Sequence, residues 1–305
     1  MTDHIHVPGD VPASMKDTYI ANYQTATRNS GNLLLFAGDQ KIEHLNDDFY
    51  GEGITPENAN PQHLFEIASQ AKIGVFASQY GLISRFGRDY PDVPYMVKLN
   101  SKTHLIPTEQ SEAISRQFTD FHMIDELKKN LNISIVGVGY TIYVGSENET
   151  FMFEEAARIA FEAHQRGMIA VFWMYPRGKA VPFEKDPHII AGAAGVGACL
   201  GADFVKVNYP VMADHHNMSQ AEALREAVQA AGRTKVICAG GSTIPAEEYF
   251  QVLHDQLHIS GAHGTAAGRN IHQRSVSEAL KFCDALHALI VEGKTVEEAT
   301  AIYKG

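Results

Sequence analysis

Lys206, in the stretch GADFVKVNYP (201–210), lies between Val205 and Val207 among residues that promise no solvent. Burying a lysine on an apolar strand disfavours its ammonium form and lowers its pKa. The neutral amine can then attack a carbonyl and form a Schiff base, an electron sink for making or breaking a carbon–carbon bond. Two further residues suit that chemistry. Tyr175, in WMYPRG (172–178 with its preceding Phe), can move protons at a carbinolamine or a substrate hydroxyl, and Asp39, after NLLLFAG, can orient or deprotonate. Lys98, in YMVKLN (95–100), can add positive charge beside Lys206 or pair with an anionic substrate. Each has a plainer reading: a lysine in an ion-pair network, an aspartate capping a turn, a tyrosine packing at a rim. Their conjunction at matching positions is what lifts all three.

The elements that would hold these residues are short β-rich runs alternating with helical patterns. Runs at 32–40, 72–81, 95–100, 134–145, 169–178, 202–210, 235–243 and 260–270 are continuous in apolar character, as parallel strands covered on both faces are. Between them, 150–167 places Phe153, Ala156, Ala157, Ala160, Phe161 and His164 at helical spacing and stops at Gly167. The stretch 275–293 begins on Ser275 as an N-cap and ends at Gly293, and 217–233 and 245–259 read as helices too. Eight such repeats predict a (β/α)8 barrel, an α/β fold of typically about 250 residues. The surplus is an N-terminal extension (1–30) with a helix near 14–28, and a long loop (41–61) after strand one. No linker divides the chain, which reads as one domain over 1–305. A doubly wound sheet would want a GxGxxG turn after strand one, and AGDQKIEH has none.

In a barrel, chemistry gathers where strands end. Strand period two turns Val205 and Val207 outward and hence Lys206 and Asn208 inward, and it puts Trp173 with Tyr175, and Ala37 with Asp39, on single faces. After strands seven and eight come AGGST (239–243) and AAGRN (266–270). The glycines Gly240, Gly241 and Gly268 free backbone N–H groups to approach an anion, Ser242 adds a hydroxyl, and Arg269 can grip it bidentately. These loops form the usual phosphate cup of the fold. A chain of net charge −11 that gathers Lys98, Arg177, Lys206 and Arg269 at one end calls for an anionic small molecule. The same net charge disfavours nucleic acid or an anionic membrane as partner. No apolar run approaches the roughly 18–20 residues that cross a bilayer. Cys199, Cys238 and Cys283 lack CxxC spacing and read as reduced thiols, and the N-terminal MTDHIHVPGDVPASMKD shows no apolar core, so a cytoplasmic protein is expected.

Taken together, GVGYTIYVGSENE, WMYPRG, GADFVKVNYP and GAHGTAAGRNIHQ, with DQKIEH and VKLNSKT, resemble the archaeal-type class I fructose-bisphosphate aldolases, over nearly all of the chain after about residue 30. The resemblance implies Lys206 as Schiff-base lysine, Tyr175 as acid/base tyrosine with Trp173 its companion, and Asp39 as the aspartate after strand one. It places Gly241, Ser242, Gly268 and Arg269 on the phosphate loops. It also implies no cofactor beyond the covalent Schiff base, no metal, and a homo-oligomer, often a decamer of stacked pentameric rings. The implied reaction is reversible cleavage of fructose 1,6-bisphosphate to dihydroxyacetone phosphate and glyceraldehyde 3-phosphate. Two departures bear on the second substrate: Gln40 and Lys41 follow Asp39 where relatives often read His-Gly, and Ala239 stands where relatives often read Ser.

Those departures keep related activities open: an aminodideoxyheptulosonate synthase, or a thiolase acting on a phosphorylated pentanedione. The distal phosphate has four candidate partners, Arg177, Lys179, Lys41 and Lys102. From a different class, the barrel could be a non-catalytic sugar-phosphate binder, which leaves Lys206 and Tyr175 without a task. A metal-dependent aldolase is also an option for a chain with 15 histidines. However, His215 and His216 are adjacent, His4 and His6 lie in the N-terminal stretch, none gives HxH at a strand end beside a carboxylate, and His44, His188, His263 and His272 read as loop or cap residues. Glu43-His44 could still touch substrate.

Overall fold

The computed structural model describes residues 5–107, 110–212 and 218–305; His4, His215 and His216 fall outside them. Eight strands form: β1 (Leu33–Ala37), β2 (Val75–Gln79), β3 (Tyr95–Lys98), β4 (Ile135–Val144), β5 (Ile169–Pro176), β6 (Phe204–Val207), β7 (Lys235–Ala239) and β8 (Gly264–Ala267). They close in sequence order into a parallel barrel, with β1 meeting both β2 and β8. This is the (β/α)8 architecture expected from the alternation of runs. The pleat sorts the side chains as strand parity requires. Leu33, Leu35, Ala37, Val75, Val171, Trp173 and Phe204 share one cluster, while Leu34, Phe36, Phe172, Met174, Val205 and Val207 pack with the helices in another.

The helices sit close to their anticipated places, at Lys16–Thr27, Glu149–His164, Gln220–Ala231, Ala246–His258 and Val276–Ile290. Ser275 caps the last of these in a capping box with Glu278. The long loop after β1 is not featureless: it carries the helices Gln40–Glu43 and Pro56–Ala59 and leads into Gln62–Gln70. One expected face needs correction. In Glu149–His164, Met152, Glu155, Ala156, Ile159, Ala160, Ala163 and His164 are buried, whereas Phe161 is 51% exposed and Ala157 is exposed. The cause is Glu155, a charged residue on the core face. Its carboxylate accepts from Arg116 Nε at 2.6 Å, Tyr140 Oη at 2.5 Å and the Gln117 amide at 2.8 Å. Apolar periodicity could not assign a glutamate to the inside.

The N-terminal helix closes the bottom of the barrel, where Tyr19, Tyr23 and Ala26 join the interior cluster and Tyr23 stacks on Phe204 at 5.7 Å. Gly167 lets this helix approach, since a Cβ there would lie 2.9 Å from Thr18 Cβ and 3.0 Å from the Tyr19 nitrogen. Its φ of +65° is also one that glycine adopts without strain. A buried polar chain stitches the helix down. Tyr19 Oη donates to Asp203 Oδ1 at 2.5 Å, the Ala170 amide donates to Asp203 Oδ2 at 2.7 Å, and His164 bridges Asp203 (3.2 Å) to Asp10 (2.8 Å).

Burial alone would lower the His164 pKa, but its hydrogen bonds to and the charges of Asp203 and Asp10 raise it to about 9. Because the folded value exceeds the ordinary histidine value of about 6.5, the contribution is complete below pH ~6.5 and disappears as pH rises through about 9. Its size is on the order of 3 kcal/mol. Urea unfolding between pH 6 and 9.5 should therefore show stability falling across that window, with the fall largely absent in His164→Gln. An equal slope in both proteins would remove His164 as its origin.

Candidate active site

The barrel's C-terminal end brings β3, β5 and β6 together around one indole. Trp173 is in register with Lys206 on one side and Thr141 on the other. Lys98 Nζ lies 5.0 Å and Lys206 Nζ 5.1 Å from the Trp173 ring centroid. Gly139 on β4 makes room for this arrangement: a Cβ there would sit 2.5 Å from Trp173 Cζ3 and 3.1 Å from Lys98 Cδ. Both lysines are buried. Their surroundings differ sharply. Lys98 Nζ donates to Asn100 O at 2.8 Å, Asn100 Oδ1 at 3.3 Å and Thr141 Oγ1 at 2.7 Å, and Asp39 Oδ2 lies 3.9 Å away. Among the described residues, Lys206 Nζ has no hydrogen bond or ion pair. The network reading therefore fits Lys98 and does not fit Lys206.

Burial lowers the pKa of each. For Lys98 it falls to about 8, against the opposing pull of Asp39 and Glu43 and with help from the charge of Lys206. For Lys206 burial again dominates, Asp39 and Glu43 work the other way, and Arg269 adds to the lowering. An amine without a protein acceptor, in a place that penalises its charge, is available as a nucleophile.

Asp39 ends the β1 run as the N-cap of Gln40–Glu43 but makes no side-chain cap hydrogen bond. Its carboxylate Oδ1 is buried without a partner, so the capping reading fails and an acceptor faces the site. Gln79 Nε2 fixes the turn by donating to the Asp39 carbonyl at 2.6 Å. Tyr175 lies on the same face of β5 as Trp173, and its hydroxyl makes no hydrogen bond among the described residues. Burial, then the negative charges of Glu43 and Asp39, push its pKa well above the ordinary tyrosine value. Tyr175 is thus a neutral phenol and a proton donor at neutral pH. Trp173 Nε1 is also buried without a partner.

The loops after β7 and β8 lie side by side at the barrel's C-terminal end. Gly241 has φ +68° and, like Ser242, is exposed. A Cβ at Gly268 would fall 2.1 Å from Gln40 Nε2, so the Gln40 amide occupies the space a side chain there would take. Arg269 Nε is buried without a partner, and Nη1 lies 3.7 Å from Asp48 Oδ1. Asn270 staples the two loops: Nδ2 donates to Gly240 O at 3.0 Å and Ser242 O at 2.9 Å, and Oδ1 accepts from the Ile244 amide at 3.1 Å. Sequence reasoning passed over Asn270, because nothing local distinguishes an asparagine that pairs with a loop some thirty positions earlier.

At the mouth, Arg177 is placed but already engaged. Its Nε and Nη2 donate to Glu184 at 2.9 and 3.2 Å, and Nη1 lies 4.0 Å from Glu43 Oε1. Lys41 Nζ donates to Asn46 at 3.2 Å and sits over Phe49, while the side chain of Lys102 donates to the Thr103 carbonyl at 3.0 Å near the Tyr143 ring. Glu43, His44 and His104 each offer a ligand atom within 4.8 Å of one another, the one grouping among the described residues that could hold a metal ion. Yet Glu43 already accepts from His104 Nε2 at 2.7 Å, with Arg177 facing the same oxygen. Burial works to raise the Glu43 pKa, and His104, His44 and Lys98 hold it down at about 2. Its charge is matched by protein cations, which disfavours a dication there.

Asp39→Asn removes a charge that favours the Lys206 ammonium, so the Lys206 pKa should fall further. The acid limb of adduct formation with a borohydride-trapped ketone should move to lower pH in that variant. A limb that stays in place or moves to higher pH would show that Lys206 does not sense Asp39.

Comparison with known proteins bears on this geometry. Residues 33–274 match the profile described as DeoC/LacD family aldolase. The chain is 56% identical over 301 residues to a Methanocaldococcus jannaschii protein named fructose-bisphosphate aldolase/6-deoxy-5-ketofructose 1-phosphate synthase, covering 99% of this chain and 95% of that one. A fructose-bisphosphate aldolase from Slackia heliotrinireducens has a similar structure, with TM-score 0.96 and 51% identity over 100% of this chain and 95% of that one. An archaeal fructose-1,6-bisphosphate aldolase, solved with its catalytic Lys covalently bound to the carbinolamine intermediate of the substrate, gives TM-score 0.74 and 32% identity over 90% and 99%. With the match spanning all eight strands and both glycine loops, the chain belongs to the DeoC/LacD family of aldolases.

Proposed function

We propose that this barrel is a metal-independent class I aldolase that cleaves fructose 1,6-bisphosphate reversibly to dihydroxyacetone phosphate and glyceraldehyde 3-phosphate. The carrying observation is the unpaired, buried Lys206 amine beside a glycine-lined anion cup. In cleavage, the amine would attack the C2 carbonyl to give a carbinolamine, and Tyr175 would protonate the departing hydroxyl as the iminium forms. The group that takes the C4 hydroxyl proton lets the C3–C4 electron pair move into the iminium, releasing the aldehyde and leaving an enamine. The unpartnered oxygen of Asp39 is an acceptor of the right kind for that proton. Reprotonation of the enamine and hydrolysis return dihydroxyacetone phosphate and free Lys206. The loops after β7 and β8 would grip the ketose phosphate through Gly240, Gly241, Ser242, Gly268 and Arg269, with Lys98 and Trp173 shaping the floor.

The aldehyde end favours a second, parallel reading. Arg177 has spent its fork on Glu184, so among the cations at the mouth Lys102, bound only to a carbonyl oxygen, is the better partner for a distal phosphate. A mouth whose cations are largely paired also suits an uncharged aldehyde. Cutting a 6-deoxy-5-ketofructose 1-phosphate between C3 and C4 gives dihydroxyacetone phosphate and a phosphate-free 2-oxoaldehyde, and the M. jannaschii relative carries that synthase name as well. The related heptulosonate synthase and thiolase readings lack a comparable observation. The three free cysteines fit a cytoplasmic setting, and no helix among the described residues is long and apolar enough to cross a membrane.

Borohydride with dihydroxyacetone phosphate should leave a stable adduct on Lys206 and none in Lys206→Met. A label on Lys98 would reassign the nucleophile, and no label would leave a mere sugar-phosphate binder. Tyr175→Phe should still bind dihydroxyacetone phosphate but form the trapped adduct more slowly, while turnover drops about 10²–10⁴-fold. Unchanged turnover would remove Tyr175 from proton transfer. Lys102→Met should raise KM for fructose 1,6-bisphosphate about tenfold, the worth of one charge-assisted contact, with a smaller effect on condensation with a 2-oxoaldehyde. Equal effects on both would take Lys102 out of the distal site.

A further inference from the structure

The segment after β1, where the chain departs from its resemblance, wraps the phosphate cup from outside. Phe49 stacks on His272 with centroids 4.8 Å apart and planes 3° apart. Asn58 Nδ2 lies 3.0 Å from His272 Nδ1, and the Thr55 amide donates to the Gln273 carbonyl at 3.0 Å. The segment thus grips the short helix Arg269–His272 that carries the cup's arginine.

Asp48 is the charged member of that grip. It is 7% exposed and anchored from several sides. Its backbone carbonyl accepts from Gln273 Nε2 at 2.9 Å and Asn58 Nδ2 at 3.2 Å, and its Oδ2 pairs with His44 Nδ1 at 2.9 Å. The other oxygen, Oδ1, faces Arg269 Nη1 at 3.7 Å. That distance is too long for a hydrogen bond but within ion-pair range, with the Arg269 side chain 26% and the Asp48 side chain 11% exposed. Arg269 Nε has no protein partner. The guanidinium is therefore steered from behind without its donors being consumed.

We infer that Asp48 is a positioning residue that holds Arg269 aimed at the phosphate of the ketone substrate, so that the loop after β1 sets the preference for phosphorylated over phosphate-free donors. A long arginine at a loop edge loses rotamer freedom when it binds an anion, and a fixed carboxylate takes up part of that loss beforehand. The opposite role is also physically possible: a carboxylate that competes with phosphate for the same arginine. Gln273 and Asn58 fix the Asp48 backbone, and His44 Nδ1 lies 2.9 Å from its Oδ2, which favours positioning over a carboxylate that moves aside.

This inference rests on the proposed Schiff-base reading, and one experiment separates their failures. Borohydride trapping at Lys206 is measured with dihydroxyacetone phosphate and with dihydroxyacetone, in the wild-type protein and in Asp48→Asn. The half-saturating concentration of dihydroxyacetone phosphate should rise about tenfold in the variant, with that for dihydroxyacetone unchanged and the limiting trapping rate kept. The inhibition constant of inorganic phosphate should rise in parallel. A merely structural role would weaken both donors together, and a competing role would tighten phosphate; either result overturns the inference, as does no change. Should Asp48→Asn not fold, Asp48→Ser, which likewise removes the charge facing Arg269, is read in the same way. If the wild-type protein traps neither donor, the Schiff-base reading falls and the inference with it.

Discussion

Two lysines share one indole, and only one of them is given oxygen atoms to hold its proton. That inequality governs the site. Lys98 and Lys206 stand at nearly equal distances from Trp173, and burial presses both toward neutrality. Asn100, Thr141 and Asp39 offer oxygen atoms to the Lys98 ammonium, whereas Lys206 is given none among the described residues. Exchanging the oxygens between the two positions would exchange the roles. Gly139 belongs to the same constraint, because any side chain there would displace the ring that spaces the two amines.

Around this centre the barrel keeps its charges in matched pairs. At the closed bottom, Asp203 and Asp10 hold His164 and tie the N-terminal helix to the strands. At the open mouth, Glu43 and Glu184 face Arg177, and Asp48 faces Arg269. A phosphorylated substrate entering such a mouth meets cations already oriented by carboxylates. The pairing limits how strongly any one cation can bind and fixes where it points, which favours selectivity over raw affinity.

The parts of the site legible in the sequence were those set by strand parity. Lys206 follows inward from Val205 and Val207, and Tyr175 follows Trp173, because successive residues of a strand point to opposite faces whatever the neighbours are. The glycine loops after β7 and β8 were legible for a similar reason: in this fold their place in chain order is also their place in space. The helix at Glu149–His164 shows the limit of the method. Its length was readable, but its buried face was not, since Glu155 is inside only because Arg116, Gln117 and Tyr140 meet it there.

The chain by itself therefore determined the barrel, the inward set of Lys98, Lys206, Trp173 and Tyr175, and the place of the glycine loops after β7 and β8, since these depend on short-range periodicity and the order of the repeats. Only the tertiary structure decided which lysine is left without an acceptor, that Arg177 is tied to Glu184 and that Asn270 and Asp48 brace the cup. Those outcomes arise from contacts between loops far apart in the chain, and no local pattern of residues specifies which of several charged groups will meet.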